Sequence, residues 1–175
     1  MKRVIIDTVF IIVLFLLQST VFKWLQLANI SPNLLIVITA SCGFMNGKNE
    51  GLLVGFFSGL LIDIFYGDIL GFYALIYMVI GYLNGFFNTI FYDEDVKLPM
   101  ILIAVSELFY GVVIYIFRFL LRNRLDFGYY FIHIILPELL YTIVITIVLY
   151  RLILAVSRFA DGIGKRGDGQ IVEWY

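Results

Sequence analysis

The sequence predicts an all-α fold: a polytopic membrane protein built as a bundle of six helices. Three observations carry that expectation. The chain of 175 residues is 62% hydrophobic and only 14% charged, whereas a soluble domain averages about 45–50% apolar and about 25% charged residues. The apolar residues fall into six runs separated by short polar or glycine-rich turns, and in hydrocarbon such runs satisfy their backbone groups as helices. Tyr, Phe and Trp recur near the ends of these runs, as an aromatic belt at each membrane surface requires.

The first run, about Val4 to Phe22, is almost uninterrupted and ends at Lys23 and Trp24, residues suited to an interface. Lys2-Arg3 ahead of it has the outline of a secretory signal. A small-x-small cleavage site is missing and further spans follow, so an uncleaved first helix is expected. Pro32 opens the second run, which ends near Met45, with Asn29 or Ser31 able to cap its first turn. Its fourteen residues rise only ~21 Å, short of a ~30 Å hydrocarbon core, so it is expected to be tilted, buried in protein or incomplete.

The third run, Gly51 to Phe65, follows the turn Asn46-Gly47-Lys48-Asn49-Glu50. The fourth extends from about Ile69 to Ile90 and is closed by Asp93-Glu94-Asp95. A fifth spans about Leu98 to Leu121 before Arg122-Asn123-Arg124, and the sixth about Tyr129 to Leu154. The expected organisation is therefore a transmembrane domain over residues 1–157 and a flexible cytoplasmic tail over 158–175, where Gly162, Gly164, Gly167 and Gly169 punctuate charged residues. The tail's last residues, Ile171 to Tyr175, read as a frayed end.

Six spans put both termini on one side. With that side cytoplasmic, Lys2, Arg3, Lys48, Lys97, Arg151, Arg158, Lys165 and Arg166 lie inside, against Lys23, Arg118, Arg122 and Arg124 outside. The basic bias favours termini in the cytoplasm. Net charge is −1 with no polybasic run, so nucleic acid is not an expected partner. The lone Cys42 supports neither a disulfide framework nor a thiolate metal site. No histidine pair, phosphate loop or Ser-His-Asp order is present, so neither catalytic residues nor a cofactor is expected.

Glycines recur every four residues at 43, 47, 51, 55 and 59, followed at the same interval by Asp63, Gly67 and Gly71. On the third helix Gly51, Gly55, Gly59 and Asp63 form a stripe that drifts about 40° per step. Such a stripe lets another backbone approach closely, which is how helices associate in lipid, and Ser58 can add a hydrogen bond across the contact. Two uses follow: packing within the bundle, or an interface for a partner helix or substrate. Gly81 and Gly85 supply a second small-residue pair on the fourth helix.

Asp63, Glu107 and Glu138 are ionisable groups at membrane depth, each costing roughly 2.5–3.5 kcal/mol at a helix centre. They are expected to face protein or water. No Lys or Arg lies mid-span to neutralise them, which leaves protonation, hydroxyl groups or a partner protein. His133 and Pro137 are spaced i,i+4 on the sixth helix, where the proline removes a donor and a kink is expected beside Glu138. Glu107, His133 and Glu138 together form the expected set of embedded polar residues.

Pro32-Asn33-Leu34-Leu35, the series Gly51, Gly55, Gly59 and Asp63, then Gly67, Gly71, Ala74-Leu75, Gly81-Tyr82, Pro137 and Tyr141 resemble the bacterial rod shape-determining MreD family over about residues 1–155. Asn33 stands where the family pattern has an acidic residue. The resemblance implies a non-enzymatic subunit of the cell-elongation machinery in the bacterial inner membrane, organising peptidoglycan synthesis. It implies binding to MreC and action with MreB, RodA and a class B penicillin-binding transpeptidase. The family's fold looks similar to the six-helix substrate-binding subunit of energy-coupling factor transporters. A vitamin- or small-solute-binding subunit of such a transporter is accordingly the alternative reading.

Overall fold

A computed structural model describes residues 2–25, 30–90, 97–117 and 127–168. Their order is α1 (Lys2–Trp24), α2 (Leu34–Asn46), α3 (Lys48–Tyr66), α4 (Phe72–Asn84, continued by a 3-10 turn Gly85–Ile90), α5 (Lys97–Tyr115) and α6. The last helix joins Phe127–Tyr130, a π-helical turn Phe131–Ile135 and Leu136–Asp168. Four helices, Ile5–Trp24, Lys48–Tyr66, Lys97–Tyr115 and Phe127–Ser157, are long and apolar enough to cross a membrane.

The short helix α2 is the axis of the bundle. Every residue from Leu34 to Met45 is buried, and a helix apolar all round is one enclosed by its neighbours. Of the three expectations for this segment, burial in protein describes it. Its cap is Asn33, whose Oδ1 accepts from Ile36 N at 3.3 Å. Ser31 does not fill that role, and Asn29 lies outside the described residues. Pro32 precedes the cap, where its missing donor costs nothing.

Gly47 alone connects α2 to α3, at φ 96° and ψ −179°, a backbone region essentially reserved for glycine. Its N–H donates to Gly43 O at 2.9 Å and its carbonyl accepts from Gly51 N at 3.0 Å. This same end of α2 also has a partner on the 3-10 continuation of α4: Asn88 Nδ2 donates to the carbonyls of Phe44 and Met45 at 2.9 and 2.7 Å.

The fourth helix begins at Phe72 rather than near Ile69. Ile69 and Leu70 are 69% and 74% exposed in the turn before it, and Gly71 sets the start with φ 96°. Its 13 α-helical residues rise ~20 Å, and the 6-residue 3-10 turn, with its longer rise, adds ~12 Å. That geometry restores roughly the reach of a full span.

Around α2, the outer helices each turn one stripe inward: Ile11, Leu14 and Phe15 on α1, Ile103, Ser106, Glu107 and Ile114 on α5, and Ile135, Leu139, Thr142, Thr146, Tyr150 and Ile153 on α6. This is three- and four-residue spacing, one helical face per element. The opposite faces carry exposed apolar residues such as Val9, Ile101, Val105 and Val148, as a lipid-facing surface does. The backbone of α6 continues to Asp168, past the boundary expected at residue 157. Residues 171–175, the acidic turn at 93–95 and the basic turn with Arg118, Arg122 and Arg124 lie outside the described residues.

Candidate functional site: an intramembrane polar cluster

The glycine stripe of α3 is turned toward α4. A Cβ on Gly59 would lie 2.5 Å from Ala74 Cα, one on Gly55 2.7 Å from Tyr77 C, and one on Gly51 2.6 Å from Gly43 Cα and 2.9 Å from Gly81 C. All of these neighbours are backbone atoms, so two main chains are in direct contact along the stripe. Gly81 closes the same contact from the α4 side, where a Cβ would meet Gly51 C at 2.5 Å. Ser58 is fully buried, yet its hydroxyl has no hydrogen-bond partner among the described residues. The cross-helix bond expected of it is not made.

Asp63 ends this stripe, and its carboxylate caps α4. Gly71 N and Ala74 N donate to Oδ2 at 3.0 and 2.9 Å, and Tyr73 N donates to Oδ1 at 2.9 Å. A helix start leaves four N–H groups without partners and carries partial positive charge. Gly71, at the capping position, has no side chain to serve them, and Asp63 serves them from the neighbouring helix. The acid is 3% exposed, and both of its oxygens accept from backbone donors, partners that the expectation of a proton, a hydroxyl or a partner protein did not include. Gly67 allows the turn back: a Cβ there would lie 2.7 Å from Asp63 Cα.

Asn33 joins three helices. Its backbone N–H donates to Thr142 Oγ1 on α6 at 3.1 Å, and its Oδ1 accepts from Tyr77 Oη on α4 at 2.8 Å in addition to capping α2. Both side-chain bonds use an acceptor oxygen, which asparagine and aspartate alike provide. Sequence reasoning missed Thr142 and Tyr77 as partners. It also missed the buried pair of Asn84 on α4 and Ser106 on α5, where Nδ2 donates to Oγ at 2.8 Å.

Glu107 is 2% exposed, and its hydrogen-bond partner among the described residues is another carboxyl. What faces it is the carboxyl of Glu138. Tyr73, Tyr77 and Tyr110 stand beside the two acids, with Tyr110 5.7 Å from Tyr77 and 6.3 Å from Tyr73 between ring centroids. His133 is not part of this group. It is exposed on α6, stacks on Tyr129 at 4.1 Å, and places Nδ1 3.1 Å from Tyr129 O. The irregularity expected at Pro137 takes the form of the π-helical turn, whose end is marked by Leu136 N–H donating to Phe131 O. That turn also seats Ile135 against Gly111, where a Cβ would lie 2.9 Å from Ile135 Cγ1.

Between the end of α1, the start of α2 and the α3–α4 turn lies a cavity of about 280 Å³. Its wall includes Gln18, Lys23, Asn33, Tyr77, Tyr110 and Glu138. Among the described residues, no cluster of His, Cys, Asp or Glu is arranged to hold a metal ion.

The family model for the rod shape-determining protein MreD matches residues 2–159. The chain belongs to the MreD family. Neither the comparison with curated proteins nor that with solved structures gives a significant match. Members of the MreD family are non-enzymatic, and the assignment places this chain in the membrane-bound part of the cell-elongation machinery. Four membrane-length helices fit a multi-pass protein of the inner membrane. The MreD match covers all the helices that build the polar cluster, and α6 as far as residue 159.

Proposed function

We propose that this MreD-family chain binds MreC within the membrane and, together with MreB, RodA and a class B penicillin-binding transpeptidase, organises lateral peptidoglycan synthesis, with both termini in the cytoplasm. The observation that carries the reading is the family match across residues 2–159. The packing adds a constraint. Gly51, Gly55, Gly59 and Asp63 are taken up by α4, so a partner helix meets the lipid-facing surface, for example Leu53, Phe57 and Ile64 on the outer side of α3. Close packing of α3 on α4 then serves to hold that surface in shape.

The polar cavity favours one second reading, a vitamin- or small-solute-binding subunit of an energy-coupling factor transporter with a similar six-helix fold. Affinity isolation from native membranes, followed by identification of copurifying proteins, separates the two. Recovery of MreC and other cell-elongation proteins is the expected result. Recovery of paired transporter ATPases in their place rejects it in favour of the second reading.

A further inference from the structure

We propose that the cavity beside Glu138 binds the primary ammonium group of a small zwitterion whose anionic end is met by Lys23. The carboxyls of Glu107 and Glu138 are hydrogen-bonded to each other, and no basic side chain of the described residues acts on either. Both oxygens of Glu107 are buried, with no donor other than the Glu138 carboxyl among the described residues. Two such carboxyl groups in a low-dielectric interior are satisfied by a shared proton or by a cation beside them, and Glu138 lines a cavity with room for one, of about 280 Å³.

The rest of the wall has the chemistry of an ammonium site. The rings of Tyr73, Tyr77 and Tyr110 are gathered next to Glu138, and aromatic faces attract cations, most strongly when water is excluded. Tyr77 donates its hydroxyl proton to Asn33, which leaves its oxygen as an acceptor. A primary ammonium brings three donors and matches a carboxyl and hydroxyl oxygens better than a quaternary one, which brings none. Lys23 is the basic residue of the wall, exposed at the end of α1. Gln18 Oε1 already accepts from Leu35 N at 3.3 Å, so its amide nitrogen is the part left to meet an anion.

The shared chemistry, an ammonium a few bonds from an anionic group, occurs in soluble ethanolamine phosphate and in the headgroup of phosphatidylethanolamine. The inference uses side chains of one chain only and stands whichever complex the chain joins.

Native mass spectrometry of the full chain, delipidated in detergent, tests it with ethanolamine phosphate and phosphatidylethanolamine as probes. Choline phosphate, phosphatidylcholine and phosphatidylglycerol serve as controls. Retention of an ethanolamine compound is expected, weakened about tenfold or more by Glu138→Gln and about fivefold by Lys23→Gln. The lipid-facing Leu140→Ala is expected to leave it unchanged. Retention of the phospholipid alone identifies a headgroup site, and retention of ethanolamine phosphate identifies a soluble ligand. Circular dichroism confirms the fold of each variant, and Lys23, on the exposed rim, tests the site without touching the core. Absence of both ethanolamine compounds, equal retention of the choline compounds, or a Glu138→Gln variant that binds like the parent overturns the proposal.

Discussion

Asp63 shows how one side chain can set the start of another helix. Three backbone donors converge on its carboxylate, and in a membrane each donor left without a partner costs several kcal/mol. Asp63→Ala is therefore expected to destabilise the bundle by about 3 kcal/mol, and Asp63→Asn, which keeps one acceptor oxygen, by about 2 kcal/mol. Unfolding titrated with a denaturing detergent measures both, and two variants as stable as the parent would remove the cap from the account. Gly71 offers a different test. Its φ is 96° and a Cβ there would meet nothing within 4 Å, so Gly71→Ala isolates backbone strain, about 1 kcal/mol. Gly128 has the same open surroundings without the positive φ. Gly128→Ala should be neutral or stabilising by up to about 1 kcal/mol, and a thermal melt in which the two alanines behave alike would contradict the distinction.

Among the elements, the α3–α4 pair depends most sharply on the identity of single residues. Gly55 touches the backbone of Tyr77 and Met78, while Leu53, two positions away, is 46% exposed. Gly55→Leu forces two main chains apart and is expected to abolish most of the folded yield in detergent, whereas Leu53→Ala changes it little. Similar yields from both would mean that the stripe does not hold the pair together. The helices themselves were legible in the sequence because hydropathy and helical spacing are local. The four-residue glycine repeat marked a close contact, and the shortness of the Pro32 segment left an enclosed α2 as one of three expectations beside a tilted or an incomplete helix. Neither feature identified what lies opposite. The capping of α4 left a trace in its opening Gly-Phe-Tyr-Ala, a helix start without Ser, Thr, Asp or Asn, which calls for a donor-satisfying group from elsewhere. The pairing of Glu107 with Glu138, of Asn84 with Ser106 and of Asn33 with Tyr77 joins residues far apart along the chain, and no local pattern predicts such a meeting. His133 shows the complementary limit: its spacing from Pro137 is local, but its exposure on α6 follows from how the whole bundle is arranged.

At the scale of the molecule, the packing divides the surface of α3 into two parts that a membrane complex can use differently. One part, Gly55 and Gly59, lies against α4. The other, with Leu53, Phe57 and Ile64 at 46%, 39% and 58% exposure, is open to lipid or to a partner helix. Single cysteines introduced on each part, in a background with the buried Cys42 replaced, report on this division through crosslinking in native membranes. On the buried side a cysteine at Ser58, fully buried and close to it in size, should crosslink only within the chain and resist labelling from the aqueous phase, whereas a Cβ at 55 or 59 would itself part the two main chains. Cysteines at 53, 57 and 64 should be the ones that reach MreC if α3 contributes to its binding. Crosslinks to MreC from position 58, or free aqueous labelling there, would mean that the buried side of α3 opens in the assembled complex, and that the fold holds that surface ready for a second partner.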